Sequence, residues 1–409
     1  VADGTLGERR AIAISFEFAF IGGSMGVAEG ERICRAFELA ACERLPVITL
    51  TATGGARMQE GMLALAQMPA TIAARARLAG ARAPFIAYLR NPTTGGVYAS
   101  FASTADVILA EPGATIGFAG PRVAETFTGQ PLPPGSHTAE WARDIGLVAR
   151  TIDPLELKSY ARAVLDLIER RPADPVEPPP EPPASEADAL TLVQRARSRP
   201  AGQPFRGEPL VPLAPNGTVA VALADVGGHG VVAIATATND RARRRLRAHD
   251  YGNVRRGIAT ATRLGIPVVT FVDTPGSHPS SPSEASGGAR EIAATFDALL
   301  RAPVPTVAVI TGEGGSGGAL ALAACDRVLI QEGAFFSVIA PEGAATILKR
   351  SDVDQVARDL RLTAHDLRRL GLADRVIPDG TDGVAWALSD IAREGAPTAR
   401  RLERWRAMR

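Results

Sequence analysis

The residues best suited to chemistry form one glycine-crowded run, Thr311-Gly312-Glu313-Gly314-Gly315-Ser316-Gly317-Gly318-Ala319-Leu320. Glycines let the backbone approach a ligand closely, and a helix that starts there aims its first N–H groups, which lack partners within the helix, at whatever sits above the turn. Such a place suits a negative oxygen. The apolar run Val307-Ala308-Val309-Ile310 before it predicts a strand, and Ala319-Leu320-Ala321-Leu322-Ala323-Ala324 predicts the opening of a buried helix. Two nucleotide readings compete. Gly312, Gly314 and Gly317 satisfy G-x-G-x-x-G, with Glu332 placed 20 positions after Gly312 where a ribose-binding acid would be sought. The helix before the next strand, Arg327-Val328-Leu329-Ile330, is too short for that unit, which spans roughly 30 residues. No Lys follows the glycines, so a P-loop is excluded. Tight packing alone is the remaining alternative, although one turn rarely needs so many glycines.

A chain of 409 residues predicts two or three domains at roughly 150 residues each. A hydrophobic fraction of 46% with 22% charged residues fits a globular enzyme with large cores, and a net charge of +1 offers no general attraction to nucleic acid or anionic membrane. Cys34, Cys42 and Cys325 are too scattered for a disulfide framework and contain no C-x-x-C pair for zinc, which predicts a reducing, cytoplasmic setting. His137, His229, His249, His278 and His365 show no metal-ligand spacing, so no metal is expected. The first residues lack the pattern of a signal peptide, and Asp225 and His229 interrupt the apolar segment Val219 to Thr238 too early for a membrane span.

From about Ala11 to Arg170, strand-like runs (Ala11 to Ser15, Pro46 to Thr51) alternate with helical stretches (Gly30 to Arg44, Gly61 to Leu78), which predicts an α/β fold with a mostly parallel sheet. Pro172 to Pro183 is dense in proline and reads as an extended linker, followed by a short helix over Glu186 to Arg199. A second block begins near Gly217 and repeats the first. Leu45-Pro46-Val47-Ile48-Thr49-Leu50 answers Ile266-Pro267-Val268-Val269-Thr270-Phe271, and Thr53-Gly54-Gly55-Ala56 answers Thr274-Pro275-Gly276-Ser277. Thr94-Gly95-Gly96-Val97 answers Ser316-Gly317-Gly318-Ala319, an offset of 222 residues. Two copies of one fold, each with a glycine turn at a helix start, suggest chemistry with two anion cradles. An enolate beside a thioester is such an anion, and paired backbone N–H groups can stabilise it.

With these motifs both halves resemble the carboxyltransferase of bacterial acetyl-CoA carboxylase, in the crotonase superfamily. The first half is similar to its beta subunit in Phe18-Ala19-Phe20-Ile21-Gly22-Gly23-Ser24-Met25-Gly26, in Thr53 to Gly61, in Pro92 to Val97, in Ala110 to Ala114 and in Ile116-Gly117-Phe118-Ala119-Gly120-Pro121-Arg122. The second is similar to the alpha subunit in Asp273-Thr274-Pro275-Gly276, in Gly312 to Ala319 and in Ser337-Val338-Ile339-Ala340-Pro341-Glu342-Gly343. The resemblance implies two crotonase-like (ββα superhelix) domains in tandem: a beta-like domain over 1–171, a linker over 172–208, an alpha-like domain over 209–395 and a basic tail over 396–409.

It further implies transfer of carboxylate between biotin, on a separate carrier protein, and the carbon beside the thioester of acetyl-CoA or a short acyl-CoA. Gly95 and Gly96 would cradle the enolate, and Gly317, Gly318 and Ala319 the biotin ureido oxygen. Gly54, Gly55, Ala56, Arg57, Thr94, Gly117, Phe118, Gly120, Pro121, Gly276, Ser337, Pro341 and Glu342 would line the substrate sites. No side-chain base is required, since carboxybiotin can release carbon dioxide and accept the proton. The expected partners are an acyl-CoA, a biotin carboxyl carrier protein, a biotin carboxylase and further copies of the chain, in a homodimer or larger homo-oligomer.

The four-cysteine zinc ribbon that opens the beta subunit is not among these residues, Thr53 stands where the family usually has Ser, and Ser277 to Gly288 departs from the alpha-subunit pattern. The alternatives are a biotin-independent decarboxylase of a malonyl thioester, on CoA or an acyl carrier protein, and an inactive assembly subunit. Single residues also stay open between two roles. Arg57 could meet a phosphate or carboxylate, or pair with Glu60 or Glu111; Arg241 to Arg247 could grip CoA phosphates or form a solvated face; His278 could transfer protons or be a plain loop histidine. Glu342 reads as a helix N-terminal charge.

Overall fold

Alternating apolar runs and helical stretches form two sheets in the computed structural model, which describes residues 1–171, 176–199, 210–215, 217–236, 245–395 and 397–408. The chain divides into two units, one of residues 1–166 with 211–215 and one of residues 167–210 with 216–409.

The first unit holds β1 (Ala2–Leu6), β2 (Arg9–Ser15), β3 (Val47–Thr53), β4 (Phe85–Thr94), β5 (Val107–Ala110), β6 (Ile116–Gly117), β7 (Arg150–Thr151) and the short β8 (Val211–Pro212). Its sheet runs β1-β2-β3-β4-β5-β7, with β6 beside β4, and only the β1/β2 pair is antiparallel. The second holds β9 (Val219–Val226), β10 (His229–Thr236), β11 (Val268–Thr274), β12 (Thr306–Gly315), β13 (Arg327–Gln331), β14 (Phe335–Ser337) and β15 (Arg375–Ile377). The order there is β15-β13-β12-β11-β10-β9, with β14 beside β12. Central strands with helices on them are buried on both faces, so β10 and β11 are buried throughout and read as continuous apolar runs.

The internal repeat is structural, with one shift of register. The helix Val27–Glu43 answers Ala248–Leu264, and β3 and β4 answer β11 and β12, all at an offset of 221 residues. The isolated parallel bridges Met25↔Ala56 and Leu246↔Ser277 keep the same offset. The offset of 222 expected for the glycine turns is therefore corrected to 221. Its physical cause is that β12 runs on through Gly312 and Gly314 to Gly315, and the helix begins at Ser316, which adopts φ +58° where Gly95 adopts φ +65°. Gly95 thus answers Ser316, Gly96 answers Gly317 and Val97 answers Gly318.

The residues expected as a linker and tail contribute structure where they are described; 172–175, 200–208, 396 and 409 lie outside the described residues. The helix Ala189–Ser198 is capped by Asp188, whose carboxylate accepts the Thr191 N–H at 2.8 Å. The helix Pro397–Ala407 delivers Arg401 into the core, where it pairs with Asp326 at 2.7 Å and donates to the carbonyls of Leu299 (2.6 Å), Ala302 (3.0 Å) and Val304 (2.8 Å). Asp326 also accepts the Thr306 N–H, at 2.8 Å, as Asp106 in the first unit accepts that of Phe85, at 3.0 Å. Asp106 takes its cation from Arg75 of its own domain's helix, at 2.9 Å. Replacing Arg401 by Met would strand a buried carboxylate, and Arg401→Met should lose about 3–5 kcal/mol in denaturant unfolding of the second unit.

Candidate active site: two glycine turns

In the first unit the ends of β3 and β4 are packed face to face. The Thr53 hydroxyl accepts the Gly55 N–H at 2.9 Å, the Gly54 N–H donates to the Gly22 carbonyl at 2.8 Å, and the Thr94 hydroxyl donates to the Thr53 carbonyl at 3.3 Å. Gly55 adopts φ +111° and Gly95 φ +65°, and the approach leaves no room for side chains: a Cβ on Gly95 would lie 2.7 Å from the Gly54 carbonyl oxygen. The Gly95 N–H donates to the Phe118 carbonyl at 2.9 Å and the Arg57 N–H to the Met25 carbonyl at 2.9 Å. The N–H groups of Ala56 and Gly96 have no acceptor among the described residues, Gly96 being in the first helical turn where none exists. They are neighbours, since a Cβ on Gly96 would lie 3.4 Å from the Ala56 nitrogen.

The second unit repeats this arrangement. The Thr274 hydroxyl accepts the Gly276 N–H at 3.1 Å, Gly276 adopts φ +98°, and the His278 N–H donates to the Leu246 carbonyl at 2.8 Å. Ser277 and Gly317 stand where Ala56 and Gly96 stand, and their N–H groups also have no acceptor among the described residues. A Cβ on Gly317 would meet nothing within 4 Å, so that glycine faces open space. Gly318 is tucked beneath the turn, where a Cβ would lie 2.5 Å from the Ser277 nitrogen and 2.7 Å from the Tyr251 hydroxyl, and Ala319 is fully buried. Of the run expected to form the second cradle, Gly317 is the residue with free space above it.

Arg57 is engaged within its own unit. It pairs with Glu60 at 2.9 Å and Glu29 at 3.0 Å and donates to the Ser24 carbonyl at 2.9 Å. Burial works against the Glu29 carboxylate, yet Arg57 and the Gly26 N–H outweigh it and hold its pKa below the usual value. Glu111 accepts the Asn91 N–H instead, at 3.1 Å. By the repeat, Glu29 answers Asp250 and Arg57 answers His278, so the second unit has a carboxylate and an imidazole at the positions of that ion pair.

Around the first turn, Gly117 packs against Ala119, with 3.2 Å between a would-be Cβ and its carbonyl oxygen. Phe118 exposes its ring, and Gly120 and Pro121 open the helix Pro121–Thr128. Around the second, the Ser337 hydroxyl donates to the Ile339 carbonyl at 2.7 Å, and Pro341 and Glu342 open the helix Pro341–Leu348. Glu342 is met by Arg197 of the helix Ala189–Ser198 at 2.6 Å, and the same guanidinium reaches Glu313 of β12 at 3.4 Å. Nothing in the sequence singles out Arg197, because its partners lie more than a hundred residues away. Of the basic run, 241–244 lie outside the described residues, and Arg245 donates to the carbonyls of Pro275 (3.2 Å) and Ser277 (3.3 Å), bracing the turn from behind. Among the described residues no group of His, Cys, Asp and Glu could hold a metal ion.

Comparison with known proteins gives the same picture for both halves. Residues 2–142 match the carboxyl transferase domain and residues 218–399 match the acetyl co-enzyme A carboxylase carboxyltransferase-like family. An acetyl-coenzyme A carboxylase carboxyl transferase subunits beta/alpha protein of Salinispora arenicola is 42% identical, covering 91% of this chain and 71% of its own. A probable biotin-dependent acyl-coenzyme A carboxylase beta3 subunit of Mycobacterium tuberculosis is 35% identical over 93% of this chain and 79% of its own. Among solved structures, a transcarboxylase 12S described as a hexamer assembly, with hydrolysed methylmalonyl-coenzyme A bound, shares the fold at a TM-score of 0.75 and 21% identity, over 100% of this chain and 82% of its own.

The packing separates the glycines by what an added methyl group would do. Gly95→Ala should lower stability by about 1–3 kcal/mol, since it forces a side chain into a left-handed, crowded position. Gly317→Ala should leave thermal unfolding within about 0.5 kcal/mol of the parent, because its methyl enters open space.

Proposed function

The chain belongs to the acetyl-CoA carboxylase carboxyltransferase family, and we propose that it moves carboxylate between biotin on a carrier protein and the α carbon of acetyl-CoA or a short acyl-CoA. The observation that carries this reading is the pair of backbone N–H groups at each turn without an acceptor among the described residues, Ala56 with Gly96 and Ser277 with Gly317. Charge collects on the thioester oxygen when the α carbon loses or gains carboxylate. The Ala56 and Gly96 N–H groups, fixed before reaction by the Thr53 and Thr94 hydrogen bonds, stabilise that oxygen without reorganising. Removing one such donor typically costs about a hundredfold to a thousandfold in rate.

The second turn fits a neutral urea oxygen. Its donors are backbone N–H groups, Gly317 leaves space above them, and the nearby cations Arg197 and Arg245 are engaged with Glu342 and with backbone carbonyls. Bound biotin supplies the carboxylate and a nitrogen that takes the proton, so the protein need only hold and align its partners. Thr53, Gly54 and Gly55 shape the first cradle, and Thr274, Gly276 and Arg245 the second.

Carboxylation then requires a biotin carboxyl carrier protein and a biotin carboxylase. The exposed apolar side chains Met58, Met62, Phe118 and Phe127 of the first unit suit burial against a further copy of the chain in a homodimer or larger assembly. A cytoplasmic setting accords with an acyl-CoA substrate. No helix among the described residues is long and apolar enough to cross a membrane.

The reverse reaction tests the reading. Purified protein mixed with malonyl-CoA should consume it, by mass spectrometry, only when biocytin is added. Loss that ignores biocytin would make the protein a decarboxylase and overturn the proposal.

A further inference from the structure

The two turns differ at one point that a shared cradle does not explain. In the first unit Val97 is fully buried at the helix start, and Gly30 leaves room for Gln67, whose Cγ would lie 2.7 Å from a Cβ there. At the repeat positions the second unit has Gly318 for Val97, Tyr251 for Gly30 and Gly288 for Gln67. These exchanges compensate in volume, one large ring standing against two glycines. In polarity they do not.

The Tyr251 side chain is fully buried, and its hydroxyl lies close to Ser277 yet makes no hydrogen bond of normal geometry among the described residues. A Phe would occupy the same space without burying an unsatisfied hydroxyl, which proteins avoid. The hydroxyl is not placed at random: it and the Ser277 nitrogen lie 2.7 Å and 2.5 Å from the point a Gly318 Cβ would occupy, so it stands beside one of the two free donors of the second turn. Burial pushes the phenol pKa up, with the Ser277 side chain pulling the other way, so the group is a protonated donor at neutral pH. The neighbouring segments add further buried polar atoms without hydrogen bonds among the described residues: Asp250 Oδ1, which is 3.5 Å from His249 Nε2, His278 Nδ1 just after the turn, and Ser283 Oγ in the short helix Ser281–Ala285. Polar atoms left unsatisfied around one helix N-terminus point to a polar ligand there.

We propose that Tyr251 is a positioning residue of the second turn, its buried hydroxyl standing beneath the turn against Ser277 and so holding the Ser277 N–H in place for a planar, neutral urea over Gly317. This inference rests on the reading of the second turn as the biotin side. It assigns no such task to the first turn, where Val97 makes the equivalent region apolar.

Tyr251→Phe removes the hydroxyl and keeps the ring. In the malonyl-CoA assay the variant should lose roughly threefold to tenfold in kcat/KM for biocytin, the range expected for one hydrogen bond, with KM for malonyl-CoA unchanged. Its Tm should be equal to or above that of the parent, because an unsatisfied group has gone. Unchanged biocytin kinetics with a raised Tm would mean that the hydroxyl is structural and would overturn the inference alone, as would a loss shared equally by both substrates. A parent enzyme with no biocytin dependence would overturn the inference together with the reading beneath it.

Discussion

A backbone N–H with no acceptor in its own fold must be met by water or by a ligand, and among the described residues each unit of this protein keeps two of them at its glycine turn. Everything near the turns follows from holding these donors unpaired and still. The neighbouring N–H groups of Gly54, Gly55, Arg57 and Gly95 are all consumed by nearby acceptors, which leaves Ala56 and Gly96 as the remainder. Parallel strands make the arrangement possible, since β3 and β4 end at the same edge and present their following residues to one another. The two-glycine contact between Gly55 and Gly95 sets the spacing.

Much of this was legible in the sequence. The strand runs, the glycine turns, the repeat and the family resemblance all rest on local signals, namely β-branched runs, glycine clusters and motif identity. The register of the turns was not legible, because identity pairs glycine with glycine, whereas the backbone pairs Gly95 with a serine in the same left-handed conformation. Nor did the motif reveal which N–H groups are free: Gly95 lies at the centre of it, yet spends its N–H on the Phe118 carbonyl, a bond set by β6 lying beside β4. Arg197, Arg401 and Tyr251 escaped notice because each acts on partners far along the chain or across a helix, where composition and spacing carry no signal.

The repeat also shows how one scaffold diverges. The first turn is braced by an ion pair of Arg57 with Glu29 and an apolar Val97, which makes a rigid, closed wall. The second replaces these with His278, Asp250 and the Tyr251–Gly318 pair, leaving several polar atoms of that wall unsatisfied. A cradle for developing charge needs stiff donors and little else. A cradle for a neutral ring gains from polar groups that fix its orientation.

The central claim is that the two turns serve different partners. Its most direct test is Gly317→Ala, assayed for acetyl-CoA binding by calorimetry and for biocytin-dependent loss of malonyl-CoA. The predicted result is acetyl-CoA affinity within about twofold of the parent and turnover reduced by about a hundredfold, because the methyl fills the space above the Gly317 N–H and displaces the group that sits there. Retained turnover, or acetyl-CoA binding that falls in step with it, would contradict the division of labour.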